Sequence, residues 1–210
     1  ALLLRSTLAG SYIIAGGWDR KVTMWADEER HDIIGTQVPK QQCYRQLEGH
    51  SVDIRCLAFH HPNTLASGCD GGQIILWNMD SGFAKLTLLD VAQKRTVLQT
   101  PNTNFYDFAK PQAVEQVTFL PATAVVVACY ADGWIRFWDS KRGTLLRRHL
   151  GAVAPHGRTP MSLTVFPPAV DELCEGKRIL MTGDDGGGVQ QWDVTAWDDP
   201  TQLAAAISET

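Results

Sequence analysis

His50, Ser67 and Asp70 are a base, a hydroxyl and a carboxylate placed close together in the chain. If the imidazole took the hydroxyl proton and the carboxylate held the imidazole, the three would form an acyl-transfer triad. Trp77 changes that reading, because an indole N–H is a donor that needs an acceptor once it is buried. Indole to hydroxyl, hydroxyl to imidazole and imidazole to carboxylate would then be a chain of hydrogen bonds. A hydroxyl committed on both sides between strands offers no concave substrate site. His50, Ser67, Asp70 and Trp77 are therefore expected to be a structural hydrogen-bond set, with no catalytic residue among them.

Two other stretches could do chemistry. Gly183-Asp184-Asp185-Gly186-Gly187-Gly188 is rich enough in glycine and acid to suggest a calcium or phosphate loop. It lacks the alternating acidic ligands and closing Glu of the first and the Lys-Ser/Thr of the second, so a tight turn is expected. His60 and His61 stand beside Pro62, but no further ligand type lies at a metal-binding spacing, and a solvated turn is the expectation. Cys43, Cys56, Cys69, Cys129 and Cys174 are odd in number and form no close pair, which predicts reduced thiols in an intracellular protein. No cofactor and no metal are expected.

The elements that position these residues follow from a repeat. Trp25, Trp77, Trp138 and Trp192 are each preceded at ten residues by a small residue, namely Ala15, Ser67, Ala128 and Thr182. Three residues before each Trp stands a β-branched residue, Val22, Ile74, Ile135 or Val189, which is the alternation of strands. Apolar residues on both faces predict sheets covered on both sides. Asp19 and Asp132 stand six residues before their Trp, whereas Asp70 and Asp185 stand seven before, with Gly71 and Gly186 in the sixth place. The network geometry of the second and fourth repeats is therefore open. Ala15 and Ala128 deny the first and third repeats a hydroxyl, and His156 is the candidate imidazole of the fourth.

At 210 residues and 44% hydrophobic composition the chain can bury a sizeable core. No run of about 18 apolar residues is present, which argues against a membrane span. The formal charge of -4 argues against general nucleic-acid binding, which needs a basic surface.

The stretch 49–77, from its Gly-His pair through Ser67 and the turn Asp to the closing Trp, resembles a WD repeat. In that family the equivalent set ties neighbouring strands together, which the resemblance implies for His50, Ser67, Asp70 and Trp77. That resemblance implies an all-β fold, a WD-repeat β-propeller with about four four-stranded blades of a larger, seven- or eight-bladed ring. The blades are placed at about 1–43, 44–90 with an insertion at 90–113, 114–150 and 151–206. The chain starts inside a repeat, so the four blades are expected not to close alone, the remainder coming from more of the polypeptide or an adjoining chain. Gly-Gly-Trp-Asp-Arg-Lys-Val at 16–22, the stretch 65–78 and Val-Glu-Gln-Val-Thr-Phe-Leu-Pro at 114–121 are similar to large WD-repeat proteins of ciliary and flagellar axonemes, some with EF-hands. No EF-hand loop occurs in these residues, so calcium sensing is not carried over.

The resemblance implies a non-catalytic scaffold for other proteins, in an axoneme or other cytoskeletal assembly or in the cytoplasm. The alternative is a soluble adaptor that reads a short peptide or modified tail at the propeller mouth. Candidate partner contacts are Phe105, Tyr106 and Phe108, whose clustered rings exceed what a solvated loop needs, together with Lys141, Arg142, Arg147 and Arg148. The basic group either guards a strand edge or meets an acidic partner such as a tubulin tail.

Overall fold

The computed structural model describes residues 1–7, 10–27, 43–60, 62–90, 112–121, 123–150, 159–166 and 178–195. They form antiparallel sheets in chain order. The first sheet holds β1 (Leu2–Thr7), β2 (Gly10–Gly16), β3 (Lys21–Asp27) and β4 (Cys43–Glu48). The second holds β5 (Ile54–His60), β6 (Thr64–Cys69), β7 (Ile74–Asn78) and β8 (Ala84–Leu88). The third holds β9 (Val114–Phe119), β10 (Val125–Tyr130), β11 (Trp134–Asp139) and β12 (Leu145–Leu150). Of the fourth, the described residues include β13 (Pro160–Phe166), β14 (Ile179–Asp184) and β15 (Val189–Asp193).

Each sheet packs on the next through its first strand: β1 and β2 meet β5, β5 and β6 meet β9, and β9 and β10 meet β13. First strands that touch in succession are the inner strands of a propeller-like arrangement. The cores lie between sheets. Val22 and Met24 of β3 share one core with Ile54 and Leu57 of β5. Ile74 and Leu76 of β7 share the next with Val114 and Val117 of β9, and Ile135 and Phe137 of β11 share a third with Leu163 of β13. Alternation thus puts the residue three before Trp25, Trp77 and Trp138 against the following sheet, which is why both faces of these repeats are apolar.

The outer strand of the first sheet, Cys43–Glu48, pairs with β3, although the sequence placed most of it in the second blade at 44–90; residues 28–42 lie outside the described set. The boundary at 43/44 therefore falls at the start of a strand of the first sheet, not between sheets. Gly49-His50 is the first marker of the next repeat in sequence, yet the outer strand before it hydrogen-bonds backwards.

Two kinds of irregularity recur with the repeat. Opposite Trp25, Trp77 and Trp138 the outer strand carries one extra residue, Tyr44, Lys85 or Leu146. Each inner strand of the second, third and fourth sheets has its own extra residue near its start, respectively Arg55, Glu115 and Met161. A bulge of this kind bends the strand and re-aims the residue it carries.

The turns β2–β3, β6–β7, β10–β11 and β14–β15 share a left-handed residue five before the Trp: Arg20 (φ 65), Gly72 (φ 74), Gly133 (φ 86) and Gly187 (φ 81). Gly72 has a second reason to be glycine, since a Cβ there would stand 2.8 Å from the Gln112 carbonyl oxygen of the chain entering the third sheet. Arg20 bears the conformational cost that the glycines avoid.

Candidate functional site

The structure brings three of the four residues of the expected set together. Trp77 Nε1 donates to Ser67 Oγ at 2.8 Å, and Ser67 Oγ lies 2.6 Å from His50 Nε2, all of it buried. The indole stands edge-on to the imidazole, with 6.3 Å between centroids. Asp70 does not join, which corrects the expected imidazole-to-carboxylate link. Its carboxylate accepts from Arg55 Nη1 at 3.0 Å, while His50 Nδ1 is buried with no hydrogen-bond partner. The cause is the one-residue displacement of Asp70. In the regular position Asp19 and Asp132 close their turns, each accepting from the backbone N–H two residues on, whereas Asp70 is turned toward the inner strand.

Burial pushes the His50 imidazole down to about 4, against opposing contacts from Ser67 and the Gln73 side chain. At neutral pH the ring is uncharged. The unfolded chain, with an ordinary histidine near pH 6.5, binds the proton more readily than the folded one, so stability rises with pH across this window. Acidification from 6.5 toward 4 is expected to cost roughly 2 kcal/mol through this ring. Thermal melts of the parent and His50→Asn across that range check it. The variant should lose this part of the pH dependence, and parallel curves would contradict the assignment.

The third sheet leaves the equivalent indole without an acceptor. Ala128 stands where Ser67 would, and the buried Trp138 Nε1 has no hydrogen-bond partner. The Tyr130 hydroxyl lies beside that indole without reaching hydrogen-bond geometry. Arg136 sits over the Tyr130 ring, 4.1 Å from its centroid. The guanidinium is pinned from two sides, by Asp132 at 2.6 Å and by Asp90 Oδ2 at 2.8 Å, and both Arg136 and Asp90 side chains are only 3% exposed. Arg148 also donates to Asp90. Burial opposes the charge on Asp90, yet hydrogen bonds from Arg136 and Arg148 hold its carboxyl below the usual range. Restoring the missing acceptor with Ala128→Ser is expected to stabilise the chain by about 1 kcal/mol, read as a higher melting midpoint. A lower midpoint would mean the hydroxyl is not accommodated.

In the fourth sheet Trp192 Nε1 donates to Thr182 Oγ1 at 3.3 Å, and His156 lies outside the described residues. The glycine-rich stretch is a turn closed on itself, with Asp184 Oδ1 accepting from Gly186 N at 2.9 Å and Gly188 N at 2.7 Å. His60 is the last residue of β5 and stacks on Phe119, 4.9 Å between centroids. It bridges two sheets rather than sitting in a solvated turn, as the sequence suggested. Among the described cysteines Cys43, Cys56, Cys69 and Cys129 are free thiols. Burial pushes the Cys56 and Cys69 thiols up and that of Cys129 to about 12, the opposite of what a nucleophile requires.

The surface residues divide. Phe105, Tyr106 and Phe108 lie outside the described residues. Lys141 and Arg142 are exposed on the β11–β12 turn, where Asp139 Oδ1 accepts from both backbone N–H groups. Arg148 belongs to the Asp90 pair, and Arg147 also has an interaction of its own, so the four basic residues do not form one free patch. Sequence reasoning missed the residue after Trp77, Trp138 and Trp192. Asn78, Asp139 and Asp193 each accept from the backbone N–H two residues on, and the Asx type at that position was the available signal.

Sequence reasoning also missed the rim. Ile54 N bonds Gly17 O at 3.1 Å, Asp70 N bonds Asp53 O at 3.0 Å, Ala131 N bonds Ala113 O at 2.9 Å and Asp185 N bonds Thr159 O at 3.1 Å. These bonds place the turns before the Trp strands at the same end as the starts of the inner strands. Trp18, 87% exposed, stands on this rim in the β2–β3 turn. Nearby, the bulged Arg55 reaches from Asp70 to Glu115 Oε2 at 2.7 Å, joining the bulges of two inner strands.

With four stacked antiparallel sheets and a Trp-to-hydroxyl bond linking strands, the class is that of propeller-like repeat proteins. Residues 41–78 and 103–139 match the model of the WD domain, G-beta repeat, and the chain carries WD40 repeats. The first matched segment covers β4 as well as β5–β7, so the repeat of the sequence straddles two sheets. Among curated proteins the chain is 29% identical over 167 residues to DDB1- and CUL4-associated factor 5 of Homo sapiens, covering 78% of this chain and 14% of that protein. It is 28% identical over 142 residues to Periodic tryptophan protein 2 of Arabidopsis thaliana, covering 67% and 13%. To Activating molecule in BECN1-regulated autophagy protein 1B of Danio rerio it is 25% identical over 115 residues, covering 49% and 8%. The chain thus spans about a tenth of the length of these relatives. The computationally designed Ika4 protein shares the fold, with a TM-score of 0.56 at 21% identity, over 87% of this chain and 84% of that one.

Proposed function

We propose that the chain is a non-catalytic protein-interaction scaffold whose rim holds other proteins, as WD-repeat proteins do. The observation that carries the reading is Trp18. A large ring left almost wholly in water, on a turn whose neighbour Arg20 is held at φ 65, does nothing for the core and is the residue type that dominates interface energetics. The His50–Ser67 pair is no counter-argument, since its hydroxyl is occupied by Trp77 and buried. An axonemal or other cytoskeletal setting, with tubulin as a candidate contact, is supported by the resemblance of 16–22, 65–78 and 114–121 alone.

The test is affinity purification of the parent and of Trp18→Ser from ciliated cells, with the axonemal and soluble fractions analysed separately. Partners enriched with the parent and lost with Trp18→Ser, at an unchanged melting midpoint, are expected. Identical partner sets would refute the rim. Recovery only from the soluble fraction would refute the axonemal setting.

A second reading is favoured by the three bulges. Arg55, Glu115 and Met161 occupy equivalent places at the starts of adjacent inner strands, where a bulge re-aims the residue it carries. An adaptor for a short peptide or modified tail would use them, with association to an assembly such as the one named for the DDB1- and CUL4-associated relative. Its signature is loss of binding on Met161→Asp with Trp18→Ser silent.

A further inference from the structure

We infer that the Thr144 hydroxyl is a phosphorylation site for a protein kinase whose peptide-binding cleft is acidic. The site goes beyond the proposed function, because the β11–β12 turn lies at the end of the third sheet away from the β10–β11 turn and its rim. The fold builds this turn twice. In the second sheet Gly82 N bonds Asn78 O at 2.8 Å and Asn78 N bonds Phe83 O at 3.0 Å; in the third, Gly143 N bonds Asp139 O at 2.8 Å and Asp139 N bonds Thr144 O at 2.9 Å. Each has a left-handed glycine, Gly82 (φ 78) or Gly143 (φ 72), and each is capped by its Asx side chain. The geometry thus demands the Asx residue and the glycine. The other positions are free to differ: Asp80, Ser81 and Phe83 in one turn are Lys141, Arg142 and Thr144 in the other.

Lys141, Arg142 and Thr144 are all exposed. Among the described residues the two cations make no ion pair and the Thr144 hydroxyl makes no hydrogen bond. The turn itself lies against β8, since a Cβ on Gly143 would stand 3.6 Å from Leu88 and 3.7 Å from Leu86. Cations three and two residues before an uncommitted hydroxyl, with Leu145 after it, are complementary to a cleft that sets carboxylates before the acceptor and an apolar pocket after it. In such a cleft the kinase's aspartate accepts the proton of Thr144 as Oγ1 attacks the γ-phosphorus of ATP. The new O–P bond forms as the bond to the β-phosphate oxygen breaks, and ADP leaves. The cleft takes its acceptor extended, so the Asp139–Thr144 bond must open. β12 ends its sheet and is bonded on one side, which makes it the strand that opens at least cost. The phosphate brings a charge of about −1.5 to −2, which offsets Lys141 and Arg142 and leaves a basic corner close to neutral.

The test incubates the folded 210-residue chain with Mg-ATP and the catalytic subunit of cyclic-AMP-dependent protein kinase as the probe, and locates phosphate by mass spectrometry. A synthetic peptide of residues 138–147 is the accessible reference. Phosphate on Thr144 is expected in both, more slowly in the folded chain, and none at this turn in Thr144→Val. Arg142→Ala, at an exposed position where folding is little affected, is expected to keep the parent's melt and lower the initial rate at Thr144 roughly tenfold. Trp18→Ser is expected to leave that rate unchanged, which separates this outcome from the fate of the rim. A folded chain that takes no phosphate on Thr144 overturns the inference, whether or not the peptide does. So does a rate at Thr144 that Arg142→Ala leaves intact.

Discussion

Trp77→Ala is expected to lower the melting midpoint by roughly 10 °C, the equivalent of about 3 to 5 kcal/mol for a large buried aromatic. The ring lies in the core between the first and second sheets, with Ile14, Leu47 and Leu65 as neighbours in that core, and its N–H holds the Ser67 hydroxyl. Trp77→Phe separates the two contributions. It keeps most of the apolar burial and removes the donor, for an expected loss of about 1 to 2 kcal/mol. His50→Ala is expected to fall between, since it leaves Ser67 without its second partner. Trp25 supplies the control: it is only half-buried, and the position ten before it is Ala15, which has no hydroxyl, so Trp25→Ala should cost clearly less. A Trp77→Ala melt that overlays the parent's would refute the structural role of the set.

The strands were legible because the repeat states itself several times. The Trp, the small residue ten before it and the β-branched residue between them fix the pairing of β2 with β3, β6 with β7 and β10 with β11. What could not be read was whatever depends on register across strands. Asp70 differs from Asp132 by one place in sequence, and only the turn geometry shows that one carboxylate meets Arg55 and the other Arg136. The bulges at Arg55, Glu115 and Met161 are likewise invisible to periodicity, because an extra residue looks like ordinary strand. Arg148 read as an edge guard because its partner Asp90 lies far away in sequence and on the connection between sheets. The outer strand Cys43–Glu48 was misplaced because nothing local distinguishes it from the polar stretch before it, and its pairing is with β3, across residues of no clear pattern.

The Asp90 pair is the second place where a single substitution is expected to act strongly. Asp90→Ala removes one of the two carboxylates that hold Arg136, and Arg136 is too deeply buried to recover water in exchange. Breaking one side of such a buried pair costs about 3 kcal/mol, mostly for the charge left behind. The double variant Asp90→Ala with Arg136→Leu should therefore be more stable than Asp90→Ala alone, because it removes the stranded charge and replaces it with apolar volume over Tyr130. The pH dependence gives an independent check. Asp90 is held below its ordinary value of 3.8, so its contribution is fully present above that pH and is lost as the pH falls through the lower, folded-state value. The difference between parent and Asp90→Ala should accordingly be constant near neutrality and shrink in strong acid. Chemical denaturation of the parent, both single variants and the double variant gives the coupling energy directly. Additive losses in that cycle would mean that Asp90 and Arg136 stabilise the third sheet independently, and that the pair does not clasp the connection between the second and third sheets.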